Sequence, residues 1–253
     1  MNISERFLGK TALVTGSADG IGKSVAWRLG REGARLALLD INPNLLQKTL
    51  AEMKDAGLEA KAYTTDIASE EQVKHAVSQA EQDFGGIDVA INAAGIVGPT
   101  STNITEFSSE DFDNIYRVNL RGSFLVAKYS LTVMKKKGKG RLLLISSIAG
   151  KEGNPGMVGY SSTKAGVIGL VKALGKEFAE SQITVNGLAP AVIKTTMNEN
   201  TSPEQLSYMT AKIPMKRLGT VEEVAAVCCY VVSDENSFST GFIYDISGGR
   251  ATY

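Results

Sequence analysis

The sequence has few of the residues on which metal sites and disulfide bridges depend. Its 253 residues include one histidine, His75, and two adjacent cysteines, Cys228 and Cys229. Adjacent cysteines with no third partner cannot link distant parts of a chain, so we expect two buried thiols on a helix. A single histidine, away from any cysteine or carboxylate cluster, is not typical of a catalytic metal site, and we predict none.

The chain also lacks an excess charge of either sign, since lysine plus arginine and aspartate plus glutamate each number 27. A balanced chain has no net field that recruits nucleic acid or an anionic membrane, and we expect neither partner. No apolar run is long enough to cross a bilayer, and residues 1–10 contain no apolar core of a signal peptide. We therefore expect a cytoplasmic protein.

Apolar runs that alternate with helical patterns indicate the fold class. The runs are almost continuously apolar, which is typical of strands that are covered on both faces. Strand–helix alternation predicts parallel strands with right-handed crossovers, hence an α/β, doubly wound three-layer sandwich with a parallel sheet of about seven strands. We predict one domain over residues 1–253, with a lid at about 190–214. The predicted strands cover 11–15, 35–39, 61–65, 87–92, 141–146, 184–188 and 242–246, and the predicted helices cover 21–31, 43–55, 69–84, 108–137, 158–180 and 221–233.

A glycine-rich turn joins the first predicted strand to the helix that follows it. The segment Thr15–Gly22 reads Thr-Gly-Ser-Ala-Asp-Gly-Ile-Gly. Such glycines let backbone amides approach a diphosphate at the positive end of a helix. A glycine cluster alone also fits a plain tight turn, but its place between a strand and a helix favours dinucleotide binding.

Asp40 ends the second predicted strand, where a carboxylate accepts hydrogen bonds from the adenosine ribose hydroxyls. It would also repel the 2′-phosphate of NADP. Asp19 adds a second negative charge in the turn, which contains no lysine or arginine. We therefore expect NAD to be preferred over NADP. The alternative is an aspartate that only caps a helix or opens a loop.

Tyr160 and Lys164 lie four residues apart, on one face of the predicted helix 158–180. A fixed ammonium favours phenolate, so we expect it to lower the pKa of the tyrosine. Chance spacing on a helix surface is the ordinary explanation of such a pair. Ser147, thirteen residues before Tyr160 at the end of an apolar run, and the glycine-rich turn together favour a catalytic interpretation.

The chain resembles the short-chain dehydrogenase/reductase family over essentially its whole length. The resemblance implies a Rossmann-type fold and hydride transfer between a nicotinamide dinucleotide and a carbinol carbon. One departure is that the family usually has Pro-Gly where this chain has Pro190-Ala191, and we expect the backbone path to be kept. The motifs that carry the resemblance, in order and with the family's spacing, are Thr15–Gly22, Asn92-Ala-Ala-Gly95, Asn119, Ser147, Tyr160-x-x-x-Lys164 and Pro190.

The resemblance also implies roles for single residues. Tyr160 matches the proton carrier, and Ser147 matches the group that holds the substrate oxygen. Lys164 matches the residue that lowers the tyrosine pKa and binds the nicotinamide ribose, and Asn119 matches the residue that distorts a helix and orders a water. The implied cofactor contacts are Gly16, Ser17, Asp19, Gly20, Ile21, Gly22, Asp40, Asp66, Ile67, Asn92, Ala93, Gly95, Tyr160, Lys164, Pro190, Ile193 and Thr195.

Four residues are candidates for substrate binding: Ser147, Lys151, Asn154 and Arg250. Lys151 and Asn154 are unusually polar for a pocket that holds a long acyl chain, although each also suits a solvated loop. Tails of related tetramers often reach a neighbouring subunit's pocket, where Arg250 would bind a carboxylate through two hydrogen bonds. The alternative is a surface arginine.

Three functions remain open. The first is an NAD-dependent dehydrogenase of a polar secondary alcohol, of sugar-acid or polyol type, which resembles the 2-keto-3-deoxy-aldonate dehydrogenases. The second is a 3-oxoacyl-(acyl-carrier-protein) reductase, which normally uses NADPH and docks an acidic carrier. Asp40 argues against that cofactor, and the candidate basic patch Lys135–Lys139 also suits a solvated helix end. The third is a non-catalytic NAD sensor. Members of the family form tetramers with 222 symmetry, and we expect a homotetramer.

Overall fold

A parallel sheet forms the middle layer of the protein in a computed structural model, which describes residues 5–196, 203–251 and 253. Within these residues the sheet has seven strands in the order β3-β2-β1-β4-β5-β6-β9, and every neighbouring pair is parallel. The predicted α/β three-layer architecture is confirmed. The strands are β1 (Thr11–Thr15), β2 (Arg35–Asp40), β3 (Ala60–Thr64), β4 (Val89–Asn92), β5 (Lys139–Ile145), β6 (Gln182–Pro190), β7 (Ile193–Lys194), β8 (Gly219–Thr220) and β9 (Ile243–Ile246).

Helices cover both faces of the sheet. Several begin at clear local signals: Asn42 accepts a hydrogen bond from the Leu45 amide (3.1 Å) ahead of Pro43, and Thr220 and Glu223 form a capping box. The helices are α1 (Gly20–Arg31), α2 (Pro43–Asp55), α3 (Glu70–Phe84), α4 (Ser109–Ile115), α5 (Gly122–Lys137), α6 (Ala149–Glu152), α7 (Val158–Glu177), α8 (Pro203–Ala211) and α9 (Val221–Val231), with a π-helical turn (Tyr116–Arg121) between α4 and α5.

The core lies in two layers, one on each face of the sheet. Alternate residues of β1 point to opposite layers: Val14 packs with α1, α2 and α9, whereas Leu13 packs with α3, α5 and α7. Burial on both faces explains why the strands are almost continuously apolar. Cys228 and Cys229 are buried free thiols on α9, as expected.

Two segments differ from the prediction. The continuous helix predicted over 108–137 is interrupted by the π-helical turn Tyr116–Arg121. The segment 190–214, predicted to be irregular, contains β7, which pairs with β8, and the helix α8. Residues 197–202 of the predicted lid lie outside the described residues. No helix in the described part of the chain is long and apolar enough to cross a membrane.

The strand order places the functional edge of the sheet. β1 pairs with β2 on one side and with β4 on the other, so the chain reverses its direction of winding at β1. In an open parallel sheet, ligands bind in the crevice beyond the carboxyl ends of the strands at such a switch point. The glycine-rich turn follows β1 directly and therefore lies at this crevice.

Candidate active site

A cavity of about 830 Å³ opens at the carboxyl edge of the sheet, within the size range of ligand pockets. It brings together most of the residues predicted for the cofactor and the substrate. Four predicted residues do not line it: Ser17, Asn92, Asn119 and Lys151. The predicted residues that do line it are Gly16, Asp19, Gly20, Ile21, Gly22, Asp40, Asp66, Ile67, Ala93, Gly95, Ser147, Asn154, Tyr160, Lys164, Pro190, Ile193, Thr195 and Arg250.

The glycine-rich turn requires its glycines. Gly16 has φ +64°, in the left-handed region that favours glycine. A Cβ on Gly22 would lie 2.1 Å from the Gly16 carbonyl oxygen, so no side chain fits there. The turn therefore exposes backbone amides at the start of α1, a surface suited to a diphosphate.

Ser17 and Asn92 hold the floor of the cavity from behind. The Ser17 hydroxyl donates to the Leu39 carbonyl at 3.1 Å, which ties the turn to β2. The Thr15 hydroxyl donates to Asn92 Oδ1 at 2.5 Å, which ties β1 to the end of β4. Their side chains point into the protein and act through the backbone, so a direct cofactor contact by Ser17 or Asn92 stays a prediction.

Acidic side chains follow the first three strands at the cavity. Asp40 accepts hydrogen bonds from the Ala18 amide (3.0 Å) and the Asn42 amide (2.9 Å). These two bonds fix the carboxylate and leave it further acceptor capacity for ribose hydroxyls. Asp19 accepts a hydrogen bond from the Thr196 hydroxyl, which joins the turn to the lid segment. Asp66 accepts from the Ala68 amide at 2.9 Å.

Asn119 lies in the π-helical turn, and its amide side chain pairs with the backbone of Ile96. Its Oδ1 accepts from the Ile96 amide (2.9 Å) and its Nδ2 donates to the Ile96 carbonyl (2.8 Å). Asn119 thus holds the loop after β4, including Gly95, against the cavity. The helix distortion implied by the family resemblance is present, whereas the ordered water stays a prediction.

The reacting side chains come from the segment directly after β5 and from α7. The Ser147 hydroxyl lies beside the Tyr160 phenol, close enough to act on its pKa. The buried Lys164 ammonium donates to the Ile145 carbonyl at 2.9 Å, and it lies 5.7 Å from the centre of the Tyr160 ring. The Ser146 hydroxyl donates to the Lys164 carbonyl at 2.7 Å, which fastens the end of β5 to α7.

Burial controls the ionisation of this pair. It lowers the pKa of Lys164 to about 8, because the charged form loses its hydration. Burial also raises the pKa of Tyr160, and the neighbouring Ser147 side chain opposes this rise. The spacing of Tyr160 and Lys164 predicts a lowered tyrosine pKa, and this prediction is wrong for the protein without cofactor. The ammonium lies near the ring, but burial has the larger effect on the pKa of Tyr160.

Lys151 turns away from the cavity. Its ammonium forms an ion pair with Asp245 (2.8 Å) and donates a hydrogen bond to the backbone oxygen of Tyr253. This geometry does not support the prediction that Lys151 contacts substrate, because its two partners, in β9 and in the C-terminal tail, hold the side chain away from the cavity. Arg250, in contrast, lines the cavity of its own chain.

Sequence reasoning missed part of the lining. Val97, Thr100 and Ser101 come from the loop after β4, and Met209 and Lys212 come from α8 and the residue that follows it. The loop was identifiable because it follows a strand at the carboxyl edge. In the described residues, no group of three or more His, Cys, Asp or Glu side chains is placed to hold a metal ion. Ala191 fits without strain, because Ser101 and Lys216 are the only described residues with side chains and positive φ.

Comparisons with known proteins agree on one family. The family model described as Enoyl-(Acyl carrier protein) reductase matches residues 16–251. The 2-dehydro-3-deoxy-L-rhamnonate dehydrogenase (NAD(+)) of Sphingomonas sp. (strain SKA58) is 40% identical over 98% of this chain and 98% of the relative. A 3-oxoacyl-(acyl-carrier-protein) reductase of Thermotoga maritima is 36% identical over 96% of this chain and 98% of the relative.

Solved structures share the fold along the same length. An NAD+-bound xylitol dehydrogenase aligns with TM-score 0.91 and 32% identity, covering 96% of this chain and 99% of that chain. A substituted actinorhodin polyketide ketoreductase with NADPH aligns with TM-score 0.91 and 33% identity, covering 96% of this chain and 98% of that chain. These proteins differ in substrate and cofactor, so the likeness alone does not choose between them.

The burial of Lys164 generates a test of stability against pH. Its pKa of about 8 in the folded chain lies below the ordinary 10.5. Between these values the unfolded chain binds more protons, so wild-type stability rises with pH across this window. Below it, the buried charge costs on the order of 3 kcal/mol. Lys164→Met should therefore gain stability relative to wild type at about pH 7, and the gain should shrink by about pH 9.5.

Urea unfolding at both pH values measures this difference. Lys172→Met is the matched control, because Lys172 is an exposed lysine of the same helix. Its stability relative to wild type should not follow the same trend. A Lys164→Met difference that is constant between the two pH values would contradict the buried, depressed lysine.

Proposed function

The chain belongs to the short-chain dehydrogenase/reductase family, and from this premise we propose that it interconverts a polar secondary alcohol, of sugar-acid or polyol type, with its ketone, using NAD. Membership makes the chain an oxidoreductase. The observation that carries the proposal is that Ser147 and Tyr160 line the same cavity as the glycine-rich turn and Asp40.

The chemistry follows from the positions of these groups. In the oxidative direction, the proton of the substrate hydroxyl passes to the Tyr160 oxygen. Ser147 stabilises the charge that develops on the substrate oxygen. The Lys164 ammonium lies 5.7 Å from the centre of the phenol ring, and together with the positive nicotinamide ring of bound NAD it would favour the ionised phenol. Bound NAD supplies the hydride acceptor, and the protein supplies orientation. In reduction, the same phenol returns the proton.

The cofactor is NAD rather than NADP. Gly16, Gly20 and Gly22 leave room for the diphosphate, and the fixed Asp40 carboxylate suits ribose hydroxyls and repels a 2′-phosphate. The Sphingomonas relative is named as an NAD(+) enzyme, and the xylitol dehydrogenase structure contains NAD+. These names support the same choice.

A 3-oxoacyl-(acyl-carrier-protein) reductase is the second candidate, favoured by the family model's description and the Thermotoga relative. The basic segment Lys135–Lys139 gives it little support. Lys136 pairs with Glu81 (2.9 Å) and Lys137 pairs with Asp88, so both charges are compensated within the chain. A non-catalytic NAD sensor is set aside, because the chain is an oxidoreductase with Ser147, Tyr160 and Lys164 in place.

The proposal includes a homotetramer. One apolar surface, here called the helix surface, contains the exposed Tyr116 and Phe124 and the partly buried Leu170, and surrounds a groove of about 550 Å³ between α5 and α7. A second, the edge surface, contains the exposed Phe238 and Phe242 beside the edge strand β9. Two separate self-complementary surfaces are what a tetramer with 222 symmetry requires.

We also place the enzyme in the cytoplasm and in carbohydrate metabolism. The buried free thiols Cys228 and Cys229 suit a reducing compartment. The metabolic role follows from the proposed substrate class.

A steady-state screen tests the function. Purified protein is offered NAD or NADP with 2-dehydro-3-deoxy sugar acids, polyols and 3-hydroxyacyl thioesters. We expect turnover of a sugar acid or polyol with NAD. Tyr160→Phe should lower this turnover by at least roughly a hundredfold, because the proton carrier is lost, while NAD affinity stays close to wild type.

Asp40→Asn serves as the second variant in this screen. It should retain turnover with NAD and raise turnover with NADP, because the carboxylate no longer repels the 2′-phosphate. Wild-type turnover with NADP and thioesters alone would instead establish the carrier-protein reductase. A near-wild-type rate for Tyr160→Phe would show that another group moves the proton.

Sedimentation velocity tests the tetramer. The mass obtained for the wild type should be four times the 26.9 kDa mass of one chain. Phe124→Glu and Phe242→Glu should each leave dimers, since each places a charge in one of the two surfaces. Leu8→Glu, at an exposed residue outside both surfaces, should leave the tetramer intact. A wild-type monomer would refute the assembly.

A further inference from the structure

We propose that Arg250 determines substrate specificity by binding a carboxylate of the substrate, so that the enzyme acts on a sugar acid in preference to a neutral polyol. The inference rests on the proposed function, because it names the substrate class of the same cavity. It stands on the surroundings of the guanidinium, on the way the tail is held, and on the distribution of charge along the cavity.

The guanidinium of Arg250 is buried and only partly paired. Its side chain is 8% exposed and lines the cavity that Ser147 and Tyr160 also line. Nε donates to Glu152 Oε2 (2.9 Å). Nη2 forms an ion pair with the same oxygen (2.7 Å) and donates to Asn154 Oδ1 (3.0 Å). Among the described residues, Nη1 has no hydrogen-bond or ion-pair partner. Its hydrogen-bonding capacity therefore remains for a ligand in the cavity.

The segment between Ser147 and Tyr160 fixes the tail that carries Arg250. Lys151 binds Asp245 at the end of the sheet and the backbone oxygen of Tyr253, and the Tyr253 hydroxyl donates to the Lys151 carbonyl at 2.9 Å. Glu152 and Asn154, in this same segment, hold the guanidinium. The anion-binding group is thus positioned by the peptide that also carries the reacting side chains, within one chain.

Charge is divided along the cavity. Asp19, Asp40 and Asp66 follow the first three strands, where the adenosine half of a dinucleotide binds. Arg250 lies beyond the last strand of the sheet. Glu152 does not line the cavity, and its side chain is more exposed than that of Arg250 (27% against 8%). Solvent screens the glutamate more strongly, so the cavity side of the pair favours an anion.

A purely structural role for Arg250, as a clamp on the tail, gives a different expectation. Loss of a clamp would disturb every substrate alike. Loss of a carboxylate ligand would disturb only acids. A comparison between an acidic and a neutral substrate therefore separates the two roles.

The experiment measures kcat and KM with NAD for 2-dehydro-3-deoxy-L-rhamnonate and for xylitol, as the acidic and the neutral probe. Wild type should prefer the acid. Arg250→Gln should raise KM for the acid at least roughly tenfold, because one charge-assisted hydrogen bond is lost. KM for xylitol should stay within about twofold of the wild-type value. Arg250→Lys should recover part of the acid selectivity, because it keeps the charge without the planar fork.

Arg31→Gln is the matched control, because Arg31 is an exposed arginine at the end of α1 outside the cavity. It should change neither KM. Binding of the acid to the enzyme–NADH complex, followed by NADH fluorescence, gives a readout that does not need turnover. Acid binding that is present in wild type and lost in Arg250→Gln supports the inference even if neither alcohol reacts.

Two results would overturn the inference while leaving the proposed function intact. One is an equal loss on both substrates in Arg250→Gln, which would make Arg250 a tail clamp. The other is a wild-type preference for xylitol over the acid. Absence of turnover with every alcohol, despite acid and NAD binding, would instead remove the proposed function.

Discussion

The burial of one ammonium beside one phenol is the constraint on which the active site depends. Lys164 is enclosed between β5 and α7, where its charge is costly and its described hydrogen bond goes to the Ile145 carbonyl. A Cβ on Gly150 would lie 2.6 Å from the Lys164 carbonyl carbon, so α6 packs directly on the backbone of this residue. The fold accepts an energetic cost here because the charge must stand next to Tyr160, which is typical of functional sites.

The edge of the sheet converts separate loops into one rigid rim. The Thr15–Asn92 bond, the Asp40–Ala18 bond and the pairing of Asn119 with Ile96 each join segments that are distant in the sequence. Each bond also satisfies a polar group that would otherwise be costly in a partly buried place. The cavity therefore has a shape set by hydrogen bonds that do not involve a ligand, which is the preorganisation that hydride and proton transfer require.

The sequence predicted the sheet, the helices and most of the cavity lining, because these depend on local signals. The strand Thr11–Thr15 and the helix Pro43–Asp55 have the predicted bounds, the first from a continuous apolar run and the second from a proline at the first turn. The π-helical turn was not predicted from periodicity, since it depends on the pairing of Asn119 with Ile96, a contact across 23 residues.

Two of the three remaining errors are also long-range. The direction of Lys151 is set by Asp245, 94 residues further along the chain, and no local pattern contains that information. The third error is local. The prolines before residue 214 predict an irregular segment, whereas Pro203 begins the helix α8. The pKa of Tyr160 was predicted from its spacing to Lys164, whereas burial, a property of the whole cavity, decides its direction.

Ultraviolet difference titration of tyrosinate, with and without NAD+, tests the central claim most directly. Subtraction of the Tyr160→Phe spectrum isolates the phenol in question. The account predicts that burial keeps the pKa of Tyr160 above its ordinary value in the protein by itself, and that this pKa falls when the positively charged nicotinamide ring of NAD+ binds near Lys164. A Tyr160 pKa that NAD+ leaves unchanged would contradict the assignment of this phenol as the proton carrier.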